Sequence, residues 1–123
     1  MVKFLLFLNT LLTLPFGVIA LAVPEVLFAQ FGLRLDAAGT LVARGYAATL
    51  VGYGLTLLLL RNTAEPRTAK VLLWSLVLFN AIEAVVQGIA GVQGVAQPII
   101  LANAALHGIV GIACFAAALR LKQ

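Results

Sequence analysis

The chain has 123 residues, of which 63% are hydrophobic and only 10% are charged, and its mean hydropathy is +1.14. Soluble domains carry roughly 25% charged residues, so this composition excludes a water-soluble globular domain. The formal net charge of +4 does not indicate a nucleic-acid-binding protein, because the basic residues form no patch and no aromatic-interleaved stripe.

Four apolar segments predict four membrane-spanning helices in a single domain that covers residues 1–123. Each segment is near the ~20 residues that a helix needs to cross about 30 Å of hydrocarbon. Helix is required, because a lone strand leaves its backbone polar groups unsatisfied in lipid. The predicted spans are Phe4–Val23, Ala37–Leu60, Ala69–Gly91 and Ala96–Leu119.

The first segment also has features of a secretory signal peptide. Lys3 precedes its apolar run, and Ala20-Leu21-Ala22 has the form of a cleavage site. The run reaches about 20 residues, which is the length of a span rather than that of a signal-peptide core. We therefore predict a first span closed by Pro24, whereas its removal would leave three spans and invert the topology.

The three connecting segments differ in composition, which predicts where each one lies. Pro24–Asp36 mixes large apolar side chains with charged ones, as is typical of a short segment in the membrane interface, and Asp36 is a predicted N-cap. Arg61–Lys70 is polar and basic and predicts an aqueous loop, whereas Val92–Gln97 predicts a tight turn between antiparallel neighbours. The predicted fold class is all-α, an integral membrane four-helix bundle with a short interfacial segment between spans one and two.

Lysine and arginine residues are concentrated on one predicted side of the bundle, and this bias predicts its orientation. The side that carries both termini holds Lys3, Arg61, Arg67, Lys70, Arg120 and Lys122, and the other side holds Arg34 and, at most, Arg44. Both termini are therefore predicted to be cytoplasmic.

Polar side chains inside the spans form the candidate site, which is a ligand-binding or a structural cluster. Its members are Arg44, Asn80, Glu83, Gln87, Asn103 and His107. Counted along each helix, Arg44, Glu83 and Asn103 lie about 10 to 12 Å below the surface opposite the termini. Asn80 and His107 lie nearer the middle, at about 16 Å, so three helices can direct these groups inward at similar depths.

Helix spacing places Glu83 on one side of span three with Asn80 and Gln87. Because a charge in lipid is costly, a pair between Arg44 and Glu83 is the most economical arrangement. Two alternatives stay open. Arg44 extends to the headgroups while Glu83 is protonated or bonded to Asn103, or the pair only fixes helix register.

Two further patterns predict helix packing. Small residues allow close approach of helix backbones in lipid, inside one bundle or against a second copy or a foreign subunit. They are Gly45, Thr49 and Gly52 in span two and Ala104, Gly108 and Gly111 in span four. Tyr46 and Tyr53 flank the first of these stripes, and their hydroxyls need partners if they are buried. Asn9, Thr10 and Thr13 give span one a polar face that we expect to turn inward.

No known catalytic or metal-binding motif is present in the chain. It lacks GxSxG, HExxH, P-loop and dinucleotide-binding patterns. His107 alone cannot form a metal site, which needs three or four ligands, so a helix–helix hydrogen bond or a proton relay beside Glu83 is expected of it. Cys114 has no metal-site spacing. We predict no catalytic residue, no metal and no cofactor, and leave open a bound quinone or other lipid.

Short motifs in the first half resemble the DoxX-related group of uncharacterised bacterial four-span membrane proteins. They are Pro24-Glu25, Gly32-Leu33-Arg34-Leu35-Asp36, Ala43-Arg44-Gly45 and Gly52-Tyr53-Gly54-Leu55. In the second half only the number of spans agrees. The resemblance implies a bacterial inner-membrane protein, in some members with redox or quinone-linked partners, and it carries over no catalytic residue.

Three functions are compatible with these patterns. We rank first an oligomerising or accessory subunit that assembles with membrane lipid, its own copies or a larger membrane complex, without catalysis and without nucleic acid. The alternative is a binder or conduit for a quinone- or isoprenoid-type ligand or a small ion, through the polar cluster. The third is an intramembrane enzyme with Glu83 and His107 as an acid–base pair.

Overall fold

The computed structural model describes residues 1–121, of which 83% are helical and none lies in a strand. The helices of this described part are α1 (Val2–Ala22), α2 (Pro24–Ala29), α3 (Ala37–Leu60), α4 (Pro66–Val92) and α5 (Ile99–Arg120). All except the six-residue α2 are long and apolar enough to cross a membrane. The prediction of an all-α bundle with four membrane-spanning helices is confirmed.

Helix ends follow local capping chemistry. Asp36 is the N-cap of α3, as predicted, and its carboxylate accepts a hydrogen bond of 2.7 Å from the Gly39 amide. The predicted loop Arg61–Lys70 is partly wrong, because α4 begins at Pro66, where a missing N–H costs nothing at the first helical position. Glu65 caps this helix, and hydrogen bonds from Thr68 and from the Arg67 amide hold the pKa of its carboxyl below the usual value.

The last helix also begins later than predicted. The chain turns through residues 93–98, with Gly94 at a φ of 68° that favours glycine. Pro98 then precedes the first residue of α5, which is Ile99 rather than Ala96. The turn is thus as long as the predicted segment Val92–Gln97 but lies one residue later in the chain.

The four long helices form two closely packed pairs, α1 with α3 and α4 with α5. The pairing of α4 with α5 confirms the prediction that the short turn joins neighbouring helices. Contacts between the two pairs run mainly through α1, which touches α4 and α5. The backbones of α3 and α4 hardly meet, so side chains bridge the seam between them.

Glycine sets the distance between α1 and α3. Gly54 of α3 is buried, and a Cβ there would lie 2.8 Å from Leu14 Cβ. At Gly17 of α1 a Cβ would lie 3.0 Å from Leu50 Cβ. No larger residue fits at either position without moving a helix.

The predicted packing stripes are only partly used inside the bundle. In α5, Ala104 is buried and Gly111 packs against Asn80, where a Cβ would lie 3.2 Å from Asn80 Cβ. By contrast, a Cβ at Gly45, Gly52 or Gly108 would meet nothing within 4 Å. Thr49 is exposed and its hydroxyl donates to the Gly45 carbonyl in its own helix.

The apolar core fills the half of the bundle that holds the termini. Its fully buried side chains include Leu6 of α1, Leu57 of α3, Leu73 and Leu76 of α4, and Cys114 of α5. These residues come from the start of α1 and α4 and the end of α3 and α5, so they lie at one level. The opposite half is packed less tightly and contains the site.

A crossing segment, Pro24–Asp36, lies over that opposite half. Its Phe28 and Phe31 rings contact Phe16 of α1, with ring centroids 6.2 and 6.5 Å apart. The Phe31 carbonyl accepts a hydrogen bond of 2.8 Å from the Gln97 amide in the α4–α5 turn. This segment therefore reaches from one helix pair to the other.

Candidate functional site

A carboxyl group inside the bundle is held by neutral donors from two helices. The Tyr46 hydroxyl of α3 donates a 2.8 Å hydrogen bond to Glu83 Oε1, and Gln87 Nε2 of α4 donates one of 2.7 Å to Glu83 Oε2. Asn103 Nδ2 of α5 donates a 2.7 Å bond to Gln87 Oε1. We call these four residues the Glu83 network; they join α3, α4 and α5.

A second network lies deeper in the bundle and joins α1, α4 and α5. Asn80, which is fully buried, donates from Nδ2 to Asn9 Oδ1 at 2.9 Å and to the Leu76 carbonyl at 2.8 Å. Its Oδ1 lies 2.9 Å from His107 Nδ1. We call Asn9, Asn80 and His107 the Asn80 network.

The Asn80 contacts fix the tautomer of His107. Because Asn80 Nδ2 donates to a backbone carbonyl, its Oδ1 is the acceptor that faces the imidazole. His107 therefore carries its proton on Nδ1 and leaves Nε2 as an acceptor. This is the helix–helix hydrogen bond expected of His107. Asn80 also bonds to Asn9, which lies on the inward polar face of α1 with Thr10 and Thr13, and all three of these α1 residues are buried.

The expected pair between Arg44 and Glu83 is wrong. Within residues 1–121, Glu83 forms no ion pair, and its two oxygens are bonded to Tyr46 and Gln87 instead. Arg44 and Tyr46 are two positions apart on α3, which is about 200° around a helix of 3.6 residues per turn. When Tyr46 faces α4, Arg44 must face the opposite way, and it is exposed.

Arg44 belongs instead to a polar group at the surface. Thr40, one turn before it on α3, donates a 3.0 Å hydrogen bond to Glu25 of α2. A hydrogen bond from its own backbone amide, the Thr40 hydroxyl and the positive charge of Arg44 together lower the pKa of Glu25. Arg44 is thus separate from Glu83, as in the alternative left open by the sequence. The partners of Glu83 are Tyr46 and Gln87, however, and not Asn103.

The Glu83 network lines a cavity of about 230 Å³. All four of its residues belong to the lining, which also includes three aromatic rings, those of Phe16, Phe28 and Phe31. We call these three rings the aromatic wall, and two of them come from the crossing segment. The cavity therefore combines aromatic rings with a polar network that is centred on one carboxyl.

A smaller cavity of about 60 Å³ lies between the two networks. Polar groups of Thr13, Gln87, Asn103 and His107 line it, together with Tyr46. A site of this size and polarity has room for water, which needs about 10–15 Å³ and two to four polar partners. The two hydrogen-bond networks therefore meet at a common polar space.

Tyrosines bridge the seam between α3 and α4. Tyr53, seven positions after Tyr46 and on the same face, lies 3.3 Å from the Ser75 hydroxyl and packs against Phe79 with ring centroids 5.2 Å apart. Both tyrosine hydroxyls thus have a hydrogen-bond partner. Tyr46 is nevertheless 36% exposed. The bond between Tyr46 and Glu83 is therefore reached from the outer surface of this seam.

Five of the six predicted site residues take part in this arrangement, and only Arg44 lies apart. Sequence reasoning missed the partner of Glu83, which is Tyr46, and the aromatic wall, which includes Phe16 and Phe31. The spacing of Tyr46 and Tyr53 by two helical turns was a usable signal for the seam. No signal in the sequence indicated the aromatic wall, because its position depends on how Pro24–Asp36 crosses the bundle.

A scan against protein-family models and searches of curated proteins and of solved structures each found no match to this chain.

Proposed function

We propose that this membrane protein binds a lipophilic molecule whose head group occupies the cavity beside Glu83. The observation that supports this most is the cavity itself, about 230 Å³ and lined by both a polar network and aromatic rings. An apolar cavity of roughly 150 Å³ is enough to hold benzene, whereas whole drug-sized ligands need about 300–1,000 Å³. The space suits one ring or a compact head group.

The rest of such a ligand has a route into lipid. Val86 lines the cavity and is 59% exposed, and Tyr46 on the other side of the α3–α4 seam is 36% exposed. The wall of the cavity thus reaches the lipid-facing surface, where an alkyl or isoprenoid tail is soluble. A quinone- or isoprenoid-type molecule with its tail in the seam fits this shape.

The proposal includes a location. The excess of lysine and arginine on the side of the termini supports cytoplasmic termini, and the resemblance to DoxX-related proteins supports a bacterial inner membrane. The cavity then opens in the outer leaflet, where a ligand arrives from the membrane rather than from the cytoplasm.

Filling the cavity tests the proposal. Val86→Trp places an indole at the lipid-facing opening of the cavity, whereas Val71→Trp alters a valine of the same helix that is 62% exposed and lines none of these cavities. We expect the protein in lipid nanodiscs to bind decylubiquinone or decyltrimethylammonium, and Val86→Trp to weaken binding about tenfold or more, or about 1.4 kcal/mol. Equal binding by the two variants, or binding of neither probe by the wild type, would contradict the proposal.

A second candidate is the accessory or oligomerising subunit that the sequence ranked first. It is supported by the small residues Gly45, Thr49 and Gly52, which face away from the bundle and leave a flat surface on α3. Gly52→Leu should dissociate an oligomer that uses this surface, as measured by native mass spectrometry from membranes. Gly88→Leu, on α4 and also in open space, is the matched control. A wild-type monomer would exclude this candidate.

A further inference from the structure

Glu83 lacks a cation in a place where a charge requires one. Within residues 1–121 its carboxyl accepts hydrogen bonds only from the neutral groups of Tyr46 and Gln87, and Arg44 faces away. A bare carboxylate in hydrocarbon is unfavourable by several kcal/mol. The Glu83 carboxyl is therefore a binding group for a positive charge that enters the cavity.

The aromatic wall of the same cavity is suited to a positive charge. Phe16 packs against Phe28 at an interplanar angle of 84° and against Phe31 at 51°. Ring faces attract cations within about 6 Å, most strongly where water is excluded. Groups of aromatic rings recognise organic ammonium groups, and this cavity also carries a carboxyl.

We propose that the cavity selects a cationic head group, a lipophilic amine or quaternary ammonium, with the charge between the Glu83 carboxyl and the phenylalanine rings. This inference rests on the proposed function and names the class of its ligand. A neutral quinone offers no positive charge to the Glu83 carboxyl, whereas an ammonium does.

A magnesium or calcium ion does not fit the same site. Both ions require about six oxygen ligands. The cavity offers a single carboxyl, the Tyr46 hydroxyl and the amides of Gln87 and Asn103. In the described part of the chain no three His, Cys, Asp or Glu residues come together to hold a metal ion. An organic cation obtains from the rings the contacts that a metal ion would lack.

Two probes of the same shape isolate the contribution of charge. Decyltrimethylammonium and its carbon isostere 2,2-dimethyldodecane differ only in the nitrogen and its charge. Binding of each radiolabelled probe is measured on protein in phosphatidylcholine nanodiscs, with empty nanodiscs subtracted and affinity expressed per mole fraction in the bilayer. We expect the wild type to prefer the ammonium about tenfold or more.

Substitutions assign that preference to the site. Glu83→Gln keeps the size of the side chain and removes its charge, and it should lower the affinity for the ammonium to that for the isostere while expression stays tolerable. Glu25→Gln removes the exposed carboxyl near Arg44 and should leave the preference unchanged. Phe28→Leu should weaken ammonium binding severalfold and leave binding of the isostere unaffected. If Glu83→Gln does not fold, Phe28→Leu decides whether the cavity selects a cationic head group.

The outcomes separate this inference from the proposed function. Equal affinity for both probes in the wild type, with loss of both in Val86→Trp, overturns the cationic head group and keeps the lipophilic ligand. If the wild type binds neither probe, the cationic head group is overturned, and the proposed function is contradicted as well if decylubiquinone also fails to bind. A preference that survives Glu83→Gln, or that Phe28→Leu does not reduce, also overturns the inference.

Discussion

Single residues decide which groups meet inside this bundle, and Asn80 is the clearest case. Its side chain is fully buried and bonds to both Asn9 of α1 and His107 of α5, although the two helix pairs share few other contacts. In hydrocarbon an amide or imidazole without a partner is unfavourable. Asn80 therefore links the two pairs at the level where they would otherwise separate.

Asn80→Ala should destabilise the protein by about 1–3 kcal/mol, because Asn9 Oδ1 and the His107 Nδ1–H lose their partner in a buried site. The measurement is the free energy of unfolding in mixed micelles. Asn62→Ala, at an exposed position between α3 and α4, is the matched control and should stay within about 0.5 kcal/mol of the wild type. Equal stability of the two variants would show that Asn80 does not join the helices.

The residue scale also shows what spacing alone can predict. Spacing correctly grouped Asn80, Glu83 and Gln87 on one face of α4, because neighbours on a helix follow from 3.6 residues per turn. It did not say which face of α3 meets α4, since that depends on the rotation of one helix against another. Arg44 was predicted as the partner of Glu83 because of its charge. Arg44 and Tyr46 lie about 200° apart around α3, and it is Tyr46 that faces Glu83.

At the scale of the helices, glycines separate the packed face of α3 from its free face. Gly54 faces α1, where a Cβ would meet Leu14 and Thr13 at 2.8 and 2.9 Å, whereas Gly52 faces open space. The sequence contained both glycines without indicating this difference. It indicated the ends of α3 correctly, through the Asp36 cap, and missed the start of α4, although Glu65 before Pro66 is a usable signal for a helix start.

Alanine at these two positions should therefore act differently. Gly54→Ala forces α1 and α3 apart and should cost about 1–3 kcal/mol of the free energy of unfolding. Gly52→Ala adds its methyl group toward lipid and should change stability by less than about 0.5 kcal/mol. Thermal unfolding of both variants in the same detergent checks this, and a larger loss for Gly52→Ala would mean that the helix pair is assigned wrongly.

At the scale of the whole molecule, an even number of spans places both termini on one side and the crossing segment on the other. Cys114 is the one cysteine of the sequence and is buried, so replacing it by alanine gives a clean background. Asn62→Cys should then react with a membrane-impermeant maleimide from the side of the termini, and Gln93→Cys from the opposite side. Labelling of both from one side would contradict the four-span topology.

The cavity itself was beyond prediction from the sequence. Composition gives the number of spans, and spacing gives their polar faces, but the empty volume depends on how completely two helix pairs fill the space between them. Leu6, Leu73 and Leu76 fill it at one end. At the other end the backbones of α3 and α4 hardly meet, and the aromatic rings of the crossing segment enclose a space instead of filling it.

The carbodiimide reactivity of Glu83 tests the central claim most directly. The chain has four acidic residues, Glu25, Asp36, Glu65 and Glu83, and lipophilic dicyclohexylcarbodiimide adds to a protonated carboxyl that it reaches from the membrane. Peptide mass spectrometry should find this adduct at Glu83 and not in Val86→Trp, whereas a water-soluble carbodiimide should modify only the other three. An unreactive Glu83, or one modified as readily from water as Glu25, would contradict a carboxyl in a lipid-accessible cavity.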